Sequence, residues 1–172
     1  MEKVLLINGI SPYIYALILF LAPQDAQIRL DKILIVIFLV QLLATIVLSV
    51  RSRDKAKLAK ITMINKFVQI PYYILFFVFS VVGFAVGMSL MGIGILFLPV
   101  FIAIDFGVFL TTFIPEEICT IKLRTMGKIT IGRFILYLIF NAFYVIDVIL
   151  SVMIHKEYKK DNNSEQITEG QI

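Results

Sequence analysis

With 172 residues, 60% of them hydrophobic and only 16% charged, and a mean hydropathy of +0.96, the chain holds more apolar surface than one water-facing core of this size can bury. A bilayer therefore replaces water as its solvent. A single cysteine, Cys119, and a single histidine, His155, exclude an intramolecular disulfide and a Cys- or His-rich metal centre, and the net charge of +4 sits in short loops beside apolar runs, where it orients a membrane protein rather than recruiting nucleic acid.

Inside a bilayer each backbone group must be satisfied within its own segment, and long apolar runs without two-residue alternation select helices over a barrel. The fold class is all-α, a polytopic transmembrane helical bundle of about five spans. The first span is 4–22, interrupted by Asn8, Gly9 and Pro12. Cleavage as a signal peptide is the rival reading; Glu2 offsets Lys3 in its n-region, and Pro23 and Asp25 spoil the cleavage pattern. The second span is 32–50, with Gln41 near its middle. Between residues 51 and 66 lie Arg51, Arg53, Lys55, Lys57, Lys60 and Lys66 against Asp54 alone, which reads either as a solvated basic loop or as a short amphipathic helix on anionic lipid headgroups.

Residues 67–115 form the centre of the chain. These 49 residues carry one formal charge, Asp105, and as a single helix would be about 74 Å long against a hydrocarbon core of about 30 Å. The segment therefore folds back as a helical hairpin, with arms 67–90 and 93–114 and a glycine-assisted turn within 88–94. Gly83 and Gly87 on one arm, and Ala103 and Gly107 followed by Thr111 on the other, are small residues at helical spacing that allow close packing of the arms. After a charged stretch containing Glu116, Glu117, Lys122, Arg124 and Lys128, the last span is 131–154, and the polar tail 155–172 is expected to be disordered. With five spans and a cytoplasmic N-terminus, 11 Lys and Arg fall inside and 5 outside, so the C-terminus lies outside.

Three patches, ITMINKFVQIPYYILFFVF (61–79), FIAIDFGVFLTTFIPEEICTIKLRTMGKI (101–129) and FNAFYVIDVILSVM (140–153), together resemble an uncharacterised family of small bacterial multi-pass membrane proteins, a domain of unknown function. The resemblance implies a bacterial inner-membrane protein in which Asn65, Lys66, Pro71, Asp105 and Asp147 recur. It implies no activity.

A carboxylate at membrane depth costs about 2.5–3.5 kcal/mol on insertion scales, so Asp105 and Asp147 should face the protein interior or a water-filled cavity. Asn141, Tyr144 and Asp147 share one face of the last span, and Thr112 lies on the same side of its helix as Asp105. These five are the candidates for an ion or ligand pathway; the alternative is a structural hydrogen-bond network. Glu116 and Glu117, adjacent in sequence, point to different sides of a helix, and Cys119 lacks a histidine base. No catalytic motif, cofactor site or metal site is expected. The expected function is that of a non-enzymatic accessory, regulatory or immunity-type subunit, acting through contacts with the bilayer, with anionic lipid, with a membrane-protein partner or with copies of itself. The alternative is a small transporter or channel using Asp105 and Asp147.

Overall fold

The computed structural model describes residues 2–90, 92, 94–141 and 143–169, with side chains described throughout these except at 2–3, 19, 24–28, 97, 144–145 and 160–169. Among the described residues every regular element is helical. A 3-10 turn, Glu2–Leu6, leads into α1 (Ile7–Leu21), followed by α2 (Gln24–Arg51), α3 (Lys55–Ser89), α4 (Gly94–Thr125), α5 (Ile131–Phe140) and α6 (Tyr144–Glu169). Among the described residues, three helices are long and apolar enough to cross a membrane: Arg29–Arg51, Lys55–Ser89 and Gly94–Thr125.

Local chemistry sets the boundaries. Ala22 precedes Pro23, whose ring disfavours a helical conformation before it, so α1 stops and Ala22 is extended at φ −69°, ψ 133°. Lys55 Nζ donates to the carbonyls of Ser49 (2.6 Å) and Val50 (3.2 Å), closing the last turn of α2. Asp54 caps α3 by accepting from the Lys57 backbone N–H at 2.9 Å. Gly92, at φ +80°, makes the hairpin turn. Beside it, Gly94 lies so close to α3 that a Cβ there would stand 2.6 Å from the Phe84 carbonyl. At the other end of α4, Gly127 N–H bonds the Arg124 carbonyl and Lys128 N–H the Leu123 carbonyl, both at 3.0 Å, the double bond pattern of a Schellman stop.

The α3–α4 hairpin is the spine, with helices of 35 and 32 residues, about 52 and 48 Å long by helix rise. Its first arm begins at Lys55, so the basic stretch is not a separate surface helix: residues 55–66 are the first turns of α3. Leu5 beside Asn65 and Tyr13 beside Tyr72 set α1 running from the basic end of the hairpin towards its turn, and α2 returns.

The expected single span 131–154 is corrected. The helix stops at Phe140 and resumes at Tyr144, and α6 folds back beside α5. Arg133 at the start of α5 lies 3.6 Å from Glu157 in α6, and Tyr158 hydroxyl donates to the Cys119 carbonyl at 2.9 Å. The C-terminal helix therefore ends at the basic end of the molecule. It also continues through the stretch expected to be disordered as far as Glu169, after docking by Ile154 and Tyr158.

The core lies at this same end. Leu5, Leu58, Ile61, Cys119, Leu123 and Ile129 pack there with Tyr137, Leu150, Ile154 and Tyr158. Towards the turn the hairpin keeps its apolar side chains outside, with Phe77, Phe79 and Leu96 each about 70% exposed. Such a surface suits hydrocarbon.

Candidate functional site: a buried ionic junction beneath a polar layer

Two polar layers cross the helices. In the upper one, Pro12 removes the N–H that would bond the Asn8 carbonyl in α1, and Pro115 does the same to the Thr111 carbonyl in α4. Each orphaned carbonyl is taken by an amide from another helix: Gln69 Nε2 donates to Asn8 O at 2.8 Å, and Asn8 Nδ2 donates to Thr111 O at 3.3 Å. Asn8 Nδ2 also donates to Thr45 Oγ1 (2.9 Å), while Asn8 Oδ1 accepts from Gln41 Nε2 (2.8 Å), and Tyr15 hydroxyl donates to Gln41 Oε1. One network thus joins α1, α2, α3 and α4. A third proline is braced similarly. At Pro71 the Tyr13 hydroxyl donates to Val68 O (2.5 Å) and accepts from Tyr72 N–H (3.0 Å), lying across the weakened step of α3.

The lower layer is ionic. Lys66 of α3 is 2% exposed and forms ion pairs with Glu116 of α4 and Asp147 of α6. Its Nζ also lies 3.3 Å from Asn141 Oδ1, and Asn141 Nδ2 donates to Glu117 Oε1 at 2.6 Å. One ammonium thus sits among three carboxylates. The break between α5 and α6 serves this junction, for it puts Asn141 between Lys66 and Glu117 and places Asp147 in the first turn of α6, where the helix dipole favours a carboxylate.

The pathway candidates separate. Asp147 and Asn141 are brought together, but Asp105 is about 16 Å of helix rise from Glu116, half-buried and on the side of Tyr72. Thr112 is buried and donates to the Phe109 carbonyl of its own helix at 3.2 Å. The side chain of Tyr144 lies outside the described residues. Of the packing candidates, Gly83 faces the ring of Phe101 of α4 and Gly87 lies against Gly94, whereas Gly107 receives Phe38 of α2 and Ala103 is exposed. Of the headgroup candidates, Arg51, Arg53, Lys57 and Lys60 are exposed and Lys55 is half-buried, but Lys66 is corrected: it belongs to the junction.

Sequence reasoning missed Lys66, Glu116 and Glu117 as parts of one site. The adjacent glutamates meet different helices, Glu116 pairing with Lys66 of α3 and Glu117 accepting from Asn141 at the end of α5. The available signal was that Lys66 and Glu116 bracket the apolar hairpin, which brings its two ends together.

Near the basic end, burial and the Cys119 side chain push the Tyr158 phenol well up, holding it as a donor to the Cys119 carbonyl. Asp54 is held below the ordinary carboxylate range by the Lys57 backbone N–H that it caps.

The described residues thus form a helical protein in which three helices are long and apolar enough to cross a membrane, with exposed apolar faces and polar groups turned inward. The chain belongs to a family of unknown function, DUF6652, whose model matches residues 4–160. No curated protein and no solved structure matches it.

Proposed function

We propose that the protein is a multi-pass component of a bacterial cytoplasmic membrane with no catalytic activity of its own, working as an accessory, regulatory or immunity-type subunit through contacts with lipid or with other membrane proteins. One observation carries this reading: buried polar side chains of several helices engage one another in two layers. Asn8, Gln41, Gln69 and Thr111 bond one another, and Glu116, Glu117 and Asp147 surround Lys66. The outer surface is then left to act through its apolar flanks and its basic end. In this reading α1 to α4 cross the bilayer, α5 and α6 form a re-entrant hairpin, and both termini are cytoplasmic. Of 16 Lys and Arg, Arg29 and Lys32 fall at the far end and Lys66 is buried in the junction, leaving 13 inside, a stronger asymmetry than five spans give. Purification in mild detergent followed by mass spectrometry tests the role. A stoichiometric membrane-protein partner or a defined homo-oligomer is expected, and a lone monomer that moves solute across liposomes would overturn it.

A specific observation favours a second reading, a small transporter. Three carboxylates around one lysine beside a broken helix resemble the discontinuous helices and intramembrane charges of ion pathways. Asp147, and not Asp105, would then be the working carboxylate. Flux in liposomes that vanishes in Asp147→Asn while folding is kept would establish it.

A further inference from the structure

At the basic end, where α2 gives way to α3 and α4 makes its last turns, a cavity of about 520 Å³ opens to the surface. Its lining combines two chemistries. Arg53, Lys55 and Lys122 supply three cations, and no carboxylate is among the lining residues; Val50, Ile118 and Ile121 supply an apolar wall. That wall is continuous with the outer face of the helices, since Val47 is 57% exposed, Val50 63% and Ile121 48%. Lys55 is held in place by its bonds to the Ser49 and Val50 carbonyls, so at least one cation is preorganised. Three positive charges at the rim of an apolar groove match a phosphate-bearing headgroup whose acyl chains lie along the helix surface, and they match a zwitterionic headgroup poorly.

We propose that this corner is a binding site for an anionic phospholipid, with the phosphate held between Arg53, Lys55 and Lys122 and an acyl chain along Val50 and Ile121. The site rests on the membrane reading above and deepens it by naming the lipid class. It differs from a diffuse basic surface because Lys122, from α4, converges with cations 67 and 69 residues earlier in the chain, while Lys57 and Lys60 stay outside the cavity. The guanidinium of Arg53 can fit two phosphate oxygens at once.

The test is native mass spectrometry of the full chain in detergent, titrated with phosphatidylglycerol or phosphatidylcholine, with partition into vesicles of either lipid measured alongside. Wild-type protein should retain phosphatidylglycerol selectively. Arg53→Gln with Lys122→Gln should weaken that retention about thirtyfold, about fivefold for each cation removed. Lys60→Gln should change it less than twofold, and Lys122→Arg should keep it. Equal retention of the two lipids, or equal loss in Lys60→Gln, would overturn the site. Displacement of phosphatidylglycerol by millimolar glycerol phosphate would reassign the cavity to a soluble phosphate and overturn the lipid assignment. Failure to partition into vesicles of either lipid would instead overturn the membrane reading itself. The double variant replaces two exposed side chains outside the core, and unchanged thermal unfolding in detergent verifies that it folds.

Discussion

Lys66 and Glu116, which flank the 49-residue apolar hairpin immediately before Phe67 and immediately after Pro115, form an ion pair across its base. Both side chains are 2% exposed, and Asp147 joins from α6. A buried pair gains little over well-packed apolar residues, but losing one partner leaves charge stranded. Lys66→Met, which leaves Glu116 and Asp147 facing each other, is expected to cost about 3–5 kcal/mol of stability. Asp105→Asn, outside the junction, keeps the side chain's shape and its capacity to hydrogen-bond and should cost less than Lys66→Met. Reversible unfolding in mixed detergent micelles measures both. Equal and small effects would show that the junction does not hold the helices together.

The second expectation concerns the proline-orphaned carbonyls. If Gln69 is retained because Pro12 leaves the Asn8 carbonyl without its helical donor, Gln69→Leu should cost about 1–3 kcal/mol, the penalty for an unsatisfied buried group. In a Pro12→Ala background residue 12 regains its N–H and can bond Asn8 within α1, so the same substitution should cost about 1 kcal/mol less. A double-mutant cycle reads this coupling directly. Additive effects would mean that Gln69 acts through packing alone.

Asp54 gives a pH-dependent expectation outside the membrane segments. Its folded pKa lies below the usual 3.8 because the carboxylate accepts the Lys57 N–H, so the cap contributes fully above that value and is lost as pH falls through the folded pKa. The carboxylate is 42% exposed, so solvent moderates the charge effect, but the cap itself is worth about 1 kcal/mol. Asp54→Ala should lower stability by that amount at pH 7. Asp54→Asn should preserve the cap and flatten the pH dependence below about 4. A variant with Asn at 54 that keeps the acid-dependent loss would assign it to another carboxylate.

Much of the fold was legible because apolar length and glycine placement act locally. The hairpin, its turn around Gly92 and the inward direction of Asp147 and Asn141 all follow from where charge and small residues occur. The break between Phe140 and Tyr144 was not legible, since no proline or glycine marks it; there Lys66 and Glu117 engage Asn141 from two other helices. For the same reason the partners of Asp147 were missed. A basic run reads as headgroup contact, and only tertiary structure shows that Lys66, one helical turn beyond Thr62, faces inward while Lys57 and Lys60 do not.

The side of the membrane reached by the C-terminal helix separates the two topologies. A continuous span over 131–154 would carry the tail across the bilayer, whereas the α5–α6 return brings Glu157 to Arg133 and Tyr158 to Cys119, with Lys128 5.8 Å above the Tyr158 ring. Those contacts all lie at the end that holds residues 51–54, and moving the tail to the other side would also carry Lys156, Lys159 and Lys160 against the charge asymmetry. In a Cys119→Ser background, cysteines placed at Lys57, Ser89 and Lys159 should label accordingly. Positions 57 and 159 should react from the cytoplasmic face with a membrane-impermeant thiol reagent, and position 89, by the hairpin turn, from the opposite face. Labelling of 159 together with 89 would restore the single outward span and remove the re-entrant hairpin.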